Sequence, residues 1–243
     1  MKKFIISFLN GFIRSRRQQE SAVNWMITNT DKKKLLVFDV GAAIGTITQE
    51  FIIASTRNQI SIEVHCFEPL LEYFEKLIQN VVSADNNIVV CNSVALSDRI
   101  GEAFFHQNNL PYTSSLLPSI ENAGRSWGNL EIVTERTVRV QTDTIDNYSL
   151  KNNLADIDIL KIDVQGGEIS VLRGAVNMLK EKRINQIYLE VLIENTYTGQ
   201  STLEEIILFL SEHQYRLTNI FNIEKSNGKL LQIDICFSSA CAT

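Results

Sequence analysis

The strongest constraint in the chain is the segment LLVFDVGAAIGT, where a continuous apolar run, Leu35 to Val40, stops at a glycine-spaced loop, Gly41 to Gly45. A run without alternation marks a strand covered on both faces, as in a parallel sheet with helices packed on either side. Thr46 and Gln49 have the spacing of a capping box for a helix that follows. Strand, glycine loop and helix in that order open a doubly wound α/β fold, whose ligands bind beyond the carboxyl ends of the strands.

The rest of the chain repeats the alternation. Glu63 to Phe67 reads as a strand ending at Glu68 and Pro69, and Leu70, Leu71, Phe74, Leu77 and Ile78 recur at helical spacing up to Asn80. Asn87 to Leu96 reads as a third strand. Residues 101–135 lose periodicity and collect Asn, Ser, Gly and two of the three prolines, so this stretch is expected to be an insertion over the substrate. Thr137 to Thr142 alternates like an exposed strand, Ile157 to Val164 is again a buried one, and a helix from about Glu168 to Lys180 follows Gly166 and Gly167. After a strand at Ile184 to Val191, Ser201 and Glu204 are expected to cap a helix carrying Leu203, Ile206, Ile207 and Leu210. Tyr215 to Phe221 and Lys229 to Phe237, parted by Asn227 and Gly228, predict an antiparallel hairpin at the end of the sheet. No linker divides the chain, so the expected organisation is an N-terminal helical extension over 1–34 and one domain over 35–243.

Charge narrows the partners. A net charge of -5 gives no general field for a phosphate backbone, and nucleic acid is disfavoured. Cys66, Cys91, Cys236 and Cys241 lack zinc-finger spacing and read as reduced thiols. The opening MKKFIISFLNGFI suits an amphipathic helix better than a signal peptide, and no run reaches the roughly 18 apolar residues of a membrane span. A cytoplasmic protein is expected, with surface attachment through that helix the lesser alternative.

The loop after the first strand selects the ligand. Gly41 makes the tight turn, Gly45 permits close backbone approach, and Glu68 is placed to accept hydrogen bonds from ribose hydroxyls. A pyrophosphate seeks positive charge, yet no Lys or Arg occurs from Val37 to Phe51, and Asp39 stands in the segment. S-adenosylmethionine has no phosphate and carries a sulfonium and an ammonium that Asp39 is suited to hold. The spacing D-x-G-x-x-x-G also departs from the dinucleotide fingerprint.

The chain further resembles the FkbM-type S-adenosylmethionine-dependent methyltransferases, through FDVGAAIGTIT, FEPLLEYFEKL, VALSDRIGE, TSSL, TDTID and DILKIDVQGGEISVLRGA in that order. The resemblance implies a Rossmann-like class I methyltransferase fold, with a mostly parallel seven-stranded sheet ending in the antiparallel hairpin. It further implies that Asp39, Gly41, Gly45 and Thr46 line the methionine and ribose side, Glu68 binds the ribose, and Ala95, Leu96 and Asp98 border the adenine. Methyl transfer to a hydroxyl of a small metabolite, sugar or glycan precursor is implied as well. Two positions depart from the family pattern: Ala43 stands where Asn is common, and Gln165 where Glu is frequent.

Methyl transfer to oxygen needs a base near the acceptor hydroxyl and an enclosed site. Asp163, at the end of a strand expected near the sheet centre, is the first candidate, against a structural role tying the Gly166-Gly167 turn. Glu168, in a helix's first turn, and Glu190, near the next strand end, are further candidates. Lys161 shares the face parity of Asp163, and a buried ammonium requires a partner, expected to be Asp163 or Glu190. A divalent cation on Asp163, Glu168 and Glu190 is the minority alternative, and no metal is expected. In the insertion, His106, Tyr112, Ser114, Ser115 and Trp127 are candidates for binding a sugar-like acceptor. Two other functions stay open on the residues: a non-catalytic S-adenosylmethionine-binding sensor or complex subunit, and an NAD-dependent oxidoreductase.

Overall fold

The computed structural model describes residues 22–81 and 87–239. The opening apolar segment and Cys241 lie outside the described residues; Cys66 and Cys236 are buried free thiols and Cys91 is a half-buried one.

The chain runs β1 (Lys34–Val40), α1 (Thr46–Arg57), β2 (Ser61–Phe67), α2 (Leu71–Asn80), β3 (Ile88–Asn92), β4 (Ala95–Leu96), β5 (Gly101–Asn108), β6 (Thr134–Asp143) and α3 (Ile145–Lys151). It continues through β7 (Ile157–Ile162), α4 (Glu168–Arg173), α5 (Val176–Lys180), β8 (Ile184–Leu192), α6 (Leu203–Glu212), β9 (Tyr215–Ser226) and β10 (Lys229–Ser239). Seven strands form one sheet in the order β3-β2-β1-β7-β8-β10-β9, with β10 antiparallel to both neighbours. This is the mostly parallel α/β architecture with a closing hairpin that the sequence implies. A second sheet, β4-β6-β5, stands over the carboxyl ends of the first.

Both faces of the large sheet are covered, which is why its central strands are apolar throughout. One face presents Phe38, Val40, Leu160, Ile162 and Leu189 to α3, α4, α5 and α6. The other presents Leu35, Val37, Ile62, Val64 and Ile159 to α1, α2 and a helical stretch over 22–28, whose Ala22, Val23, Met26 and Ile27 are fully buried. Part of the expected 1–34 extension is thus built into the core. On this second face each central strand turns from apolar to polar or charged toward its carboxyl end: Val37 then Asp39, Ile159 then Lys161, Tyr188 then Glu190.

Several local expectations are corrected. Gly45, at φ +87, is the N-cap of α1, so Thr46 lies inside the helix and the Gln49 amide bonds the Asn80 carbonyl instead of closing a box. The capping box of α6 is Thr202 with Glu205, because the Ser201 hydroxyl is spent on the Gly166 carbonyl at 2.7 Å. The helix expected over Glu168 to Lys180 breaks at Gly174, where a β-carbon would lie 2.0 Å from the Ser97 carbonyl oxygen. The strand read as Asn87 to Leu96 splits into β3 and β4, which join different sheets. Within 101–135, Gly101–Asn108 forms β5 against β6; the exposed Phe104 on its outer face hides the alternation.

Candidate active site

A cavity of about 730 Å³ opens at the carboxyl ends of β1, β2, β7 and β8, roofed by the small sheet and the segment joining β5 to β6. Gly41, Thr46, Glu68, Ala95, Leu96 and Asp98 line one part of it. Gly41 leaves β1 at φ +77 with the Asp163 carbonyl oxygen 1.8 Å from where a β-carbon would sit, so only glycine fits. Glu68 follows β2 and is almost fully buried; its oxygens accept the Ala43 N–H at 3.0 Å and the Leu70 N–H at 2.8 Å. Burial pushes its carboxyl up to about 7 against those two donors. A carboxylate has about four acceptor positions, so capacity remains for hydroxyl donors in the cavity.

Asp39 does not line this space. Its carboxylate is fully buried, accepts the Thr48 hydroxyl at 2.6 Å and pairs with Lys161 Nζ at 2.9 Å. Asp39 and Lys161 are register partners of β1 and β7, which sets the pair. The expected partner for Lys161, Asp163 or Glu190, is therefore corrected: Asp39 is the close one and Asp163 lies at 3.8 Å. Burial alone would lower the Lys161 ammonium, but Asp39 and Asp163 outweigh it and hold it at about 12. The ammonium also donates to the Gly41 carbonyl at 2.9 Å and the Val40 carbonyl at 3.4 Å, tying the ion pair to the glycine turn. Gly45 also lies off the cavity, as the α1 cap.

Asp163 and Glu190 line the cavity at the ends of β7 and β8. The Gln165 amide nitrogen donates 2.9 Å bonds to Asp163 Oδ1 and to Glu190 Oε1. Gln165 holds this bridge from a left-handed backbone, φ +56. Burial pushes the Glu190 carboxyl well up, and Asp163 and Asp234 push it further. Glu168 is elsewhere: it is buried beneath the turn and accepts the Gly166 N–H at 2.9 Å. No cluster of three or more His, Cys, Asp or Glu among the described residues is arranged to hold a metal ion.

Tyr112, Ser114 and Trp127 line the part of the cavity under the roof. His106 and Ser115 do not. His106 stands on the face of β5 that carries exposed Phe104, with burial lowering its ring, and the fully buried Ser115 hydroxyl donates to the Gln165 carbonyl at 2.8 Å. Two residues escaped the sequence reading. Tyr197, in the loop after β8, is buried on the cavity wall with its hydroxyl donating to the Thr113 carbonyl at 2.6 Å. Asp234 sits in β10 directly opposite Glu190. Its signal was available, since it is a charge inside the apolar run LLQIDICF.

The part of the cavity around Gly41 and Glu68 fits a cationic, phosphate-free adenosyl ligand. The 41–47 turn supplies no basic side chain, Arg99 is paired with Asp98 at 3.1 Å, and Lys161 is committed to Asp39. Glu68 would accept the ribose hydroxyls, Asp98 and Leu96 would flank the base, and Asp163 would face the positive charge.

Comparison with known proteins identifies the family. The model of the methyltransferase FkbM domain matches residues 39–217. The 2-O-methyltransferase NoeI of Sinorhizobium fredii is 26% identical over 186 residues, covering 75% of this chain and 73% of that protein. The hexuronic acid methyltransferase AglP of Haloferax volcanii is 25% identical over 179 residues, covering 74% of this chain and 64% of its own length. Among solved structures, methyltransferase FkbM from Methylobacillus flagellatus superposes with a TM-score of 0.51 at 12% identity, over 85% of this chain and 44% of that one. Fold and family model converge: the chain belongs to the FkbM family of S-adenosylmethionine-dependent methyltransferases.

Proposed function

We propose that the enzyme methylates a hydroxyl group of a carbohydrate, with Asp163 and Glu190 orienting that hydroxyl and receiving its proton. The bridged carboxylate pair carries this reading. Both carboxylates line the same cavity as Gly41, Glu68 and the roof residues, and oxygen methylation calls for a base in such a cavity. The bound donor supplies an electrophilic methyl on a sulfonium. The protein then has to align the hydroxyl, exclude water and hold the proton. Gln165 fixes both carboxylates, and the roof encloses the acceptor. Tyr112, Ser114, Trp127, Thr196 and Tyr197 give that part of the wall the aromatic faces and hydroxyls suited to a sugar ring. The names of NoeI and AglP, one a 2-O-methyltransferase and the other acting on a hexuronic acid, support a carbohydrate acceptor here.

The test is transfer of a labelled methyl to a panel of neutral, amino and uronic oligosaccharides, with the methylated position read by mass spectrometry and NMR. Glu190→Gln and Asp163→Asn should each lower kcat about 10²–10⁴-fold. Transfer to nitrogen-bearing acceptors alone would overturn the hydroxyl reading.

A further inference from the structure

Glu190 and Asp234 are directly opposite on antiparallel β8 and β10, so both side chains leave the same face of the sheet. Opposed residues have β-carbons only about 5 Å apart, and like charges there repel. The groups around them are Asp39 on β1, Lys161 on β7, Asp163 and Gln165 beyond its end, Tyr188 on β8, Tyr197 in the loop after β8, Asn222 on β9 and Gln232 on β10. Four carboxylates thus share one ammonium, and that ammonium is bound to Asp39. Among the described residues no cation forms an ion pair with Glu190 or Asp234.

The hydrogen bonds favour Asp234 as the site of one proton. Asp234 is fully buried, and its Oδ2 accepts the Tyr188 hydroxyl at 2.6 Å and the Asn222 amide at 2.5 Å. Its Oδ1 has no donor, and neither has Asn222 Oδ1. Two buried acceptors without donors cost several kcal/mol, whereas a proton on Asp234 Oδ1 supplies a donor beside the Asn222 amide already in contact. Asp234 is then a neutral acid, and the repulsion that remains is between Glu190 and Asp163, which share one amide nitrogen and, among the described residues, no cation paired with both, so Glu190 is the exchangeable group.

We infer that Glu190 carries a proton before the methyl donor binds, releases it as the cationic donor enters, and takes up the acceptor's hydroxyl proton during transfer, while Asp234 stays neutral. This rests on the methyltransferase reading above. In transfer the acceptor's O–H bond breaks and an O–C bond forms, the C–S electron pair remains on sulfur, and the proton passes to Glu190. The charge inside the cavity is the same before binding, with donor bound and with both products bound. Burial and the nearby Asp163 carboxylate favour the protonated Glu190, in agreement.

The test is isothermal titration of the purified protein with S-adenosylmethionine and with the neutral S-adenosylhomocysteine, in buffers of different ionisation enthalpy, between pH 5.5 and 7.0. There the amino groups of both ligands remain protonated. Glu68 contacts the part common to both, so its proton cancels in the difference. About one proton more should be released with the sulfonium ligand, and its affinity relative to the neutral ligand should rise about tenfold per pH unit. Glu190→Gln should abolish the difference. Asp234→Asn, which mimics the neutral acid, should keep it. A flat affinity ratio, or a difference surviving Glu190→Gln, overturns the inference and leaves the donor site standing. Failure of both ligands to bind removes the methyltransferase reading and the inference with it.

Discussion

Replacing Lys161 with Met isolates what the buried ion pair contributes. Met keeps most of the stem volume but leaves Asp39 Oδ1 with no partner, since the Thr48 hydroxyl serves only Oδ2. Removing one member of a buried pair costs about 3–5 kcal/mol, because the other charge is stranded. Both side chains are almost completely buried, so solvent does not screen that loss. For a chain this long each kcal/mol moves Tm by roughly 2–4 °C, so Lys161→Met should lose about 6–20 °C in a thermal melt followed by circular dichroism at pH 7. The double variant Asp39→Asn with Lys161→Met removes the stranded charge and should recover at least half of the loss. A single variant within about 2 °C of the parent, or a double variant no better than the single, refutes the argument.

Glu168→Gln tests burial without a counter-charge. Burial raises the Glu168 carboxyl from its ordinary 4.5 to about 7, so its favourable contribution is full below pH 4.5 and is lost as pH rises through 7. Glutamine still accepts the Gly166 N–H, so the variant should match the parent at pH 4.5 and exceed it by roughly 3 kcal/mol at pH 8, read from urea unfolding at both values. A constant offset across pH would dismiss this account. Ala43 occupies a left-handed backbone, φ +48, which costs an alanine about 1 kcal/mol. Ala43→Gly should therefore raise Tm by roughly 2–4 °C, and a lower Tm would count against strain at this turn. Gly41→Ala should abolish donor binding by calorimetry, since the new β-carbon collides with the Asp163 carbonyl; retained affinity would contradict the turn geometry.

The layered α/β architecture was legible because its signals are local. Unbroken apolar runs mark strands buried on both faces, and glycine at the end of β1 marks the turn. What failed depends on contacts distant in sequence. The break between α4 and α5 exists because the Ser97 carbonyl packs against Gly174, and no local pattern around 174 reports a residue at 97. The cap of α6 shifted by one residue because Ser201 was claimed by Gly166, 35 positions earlier. The seven residues of α3 are too few to display a helical period, and only its cap, Thr144 accepting the Asn147 N–H, marks it.

For the site, charge was legible and pairing was not. Asp39, Lys161, Glu190 and Asp234 each interrupt an apolar strand, and each interruption is a cost that something must offset. Which carboxylate meets Lys161 follows from the register of β1 against β7, 122 positions apart in the chain, and that register assigns it to Asp39. Asp158 shows how interruptions are sorted. It also breaks β7, but at the amino end, where it accepts the Leu36 N–H at 2.8 Å and pairs with Lys32 at 2.5 Å, far from any strand end that opens on the cavity. A charge at the amino end of a parallel strand ties the sheet to its incoming loops. The same charge at the carboxyl end falls where ligands bind. Sorting by strand end separates Asp158 from Asp163 and Glu190, and it brings Asp234 into the same group, because antiparallel β10 places it beside Glu190 although it lies in the middle of its own strand.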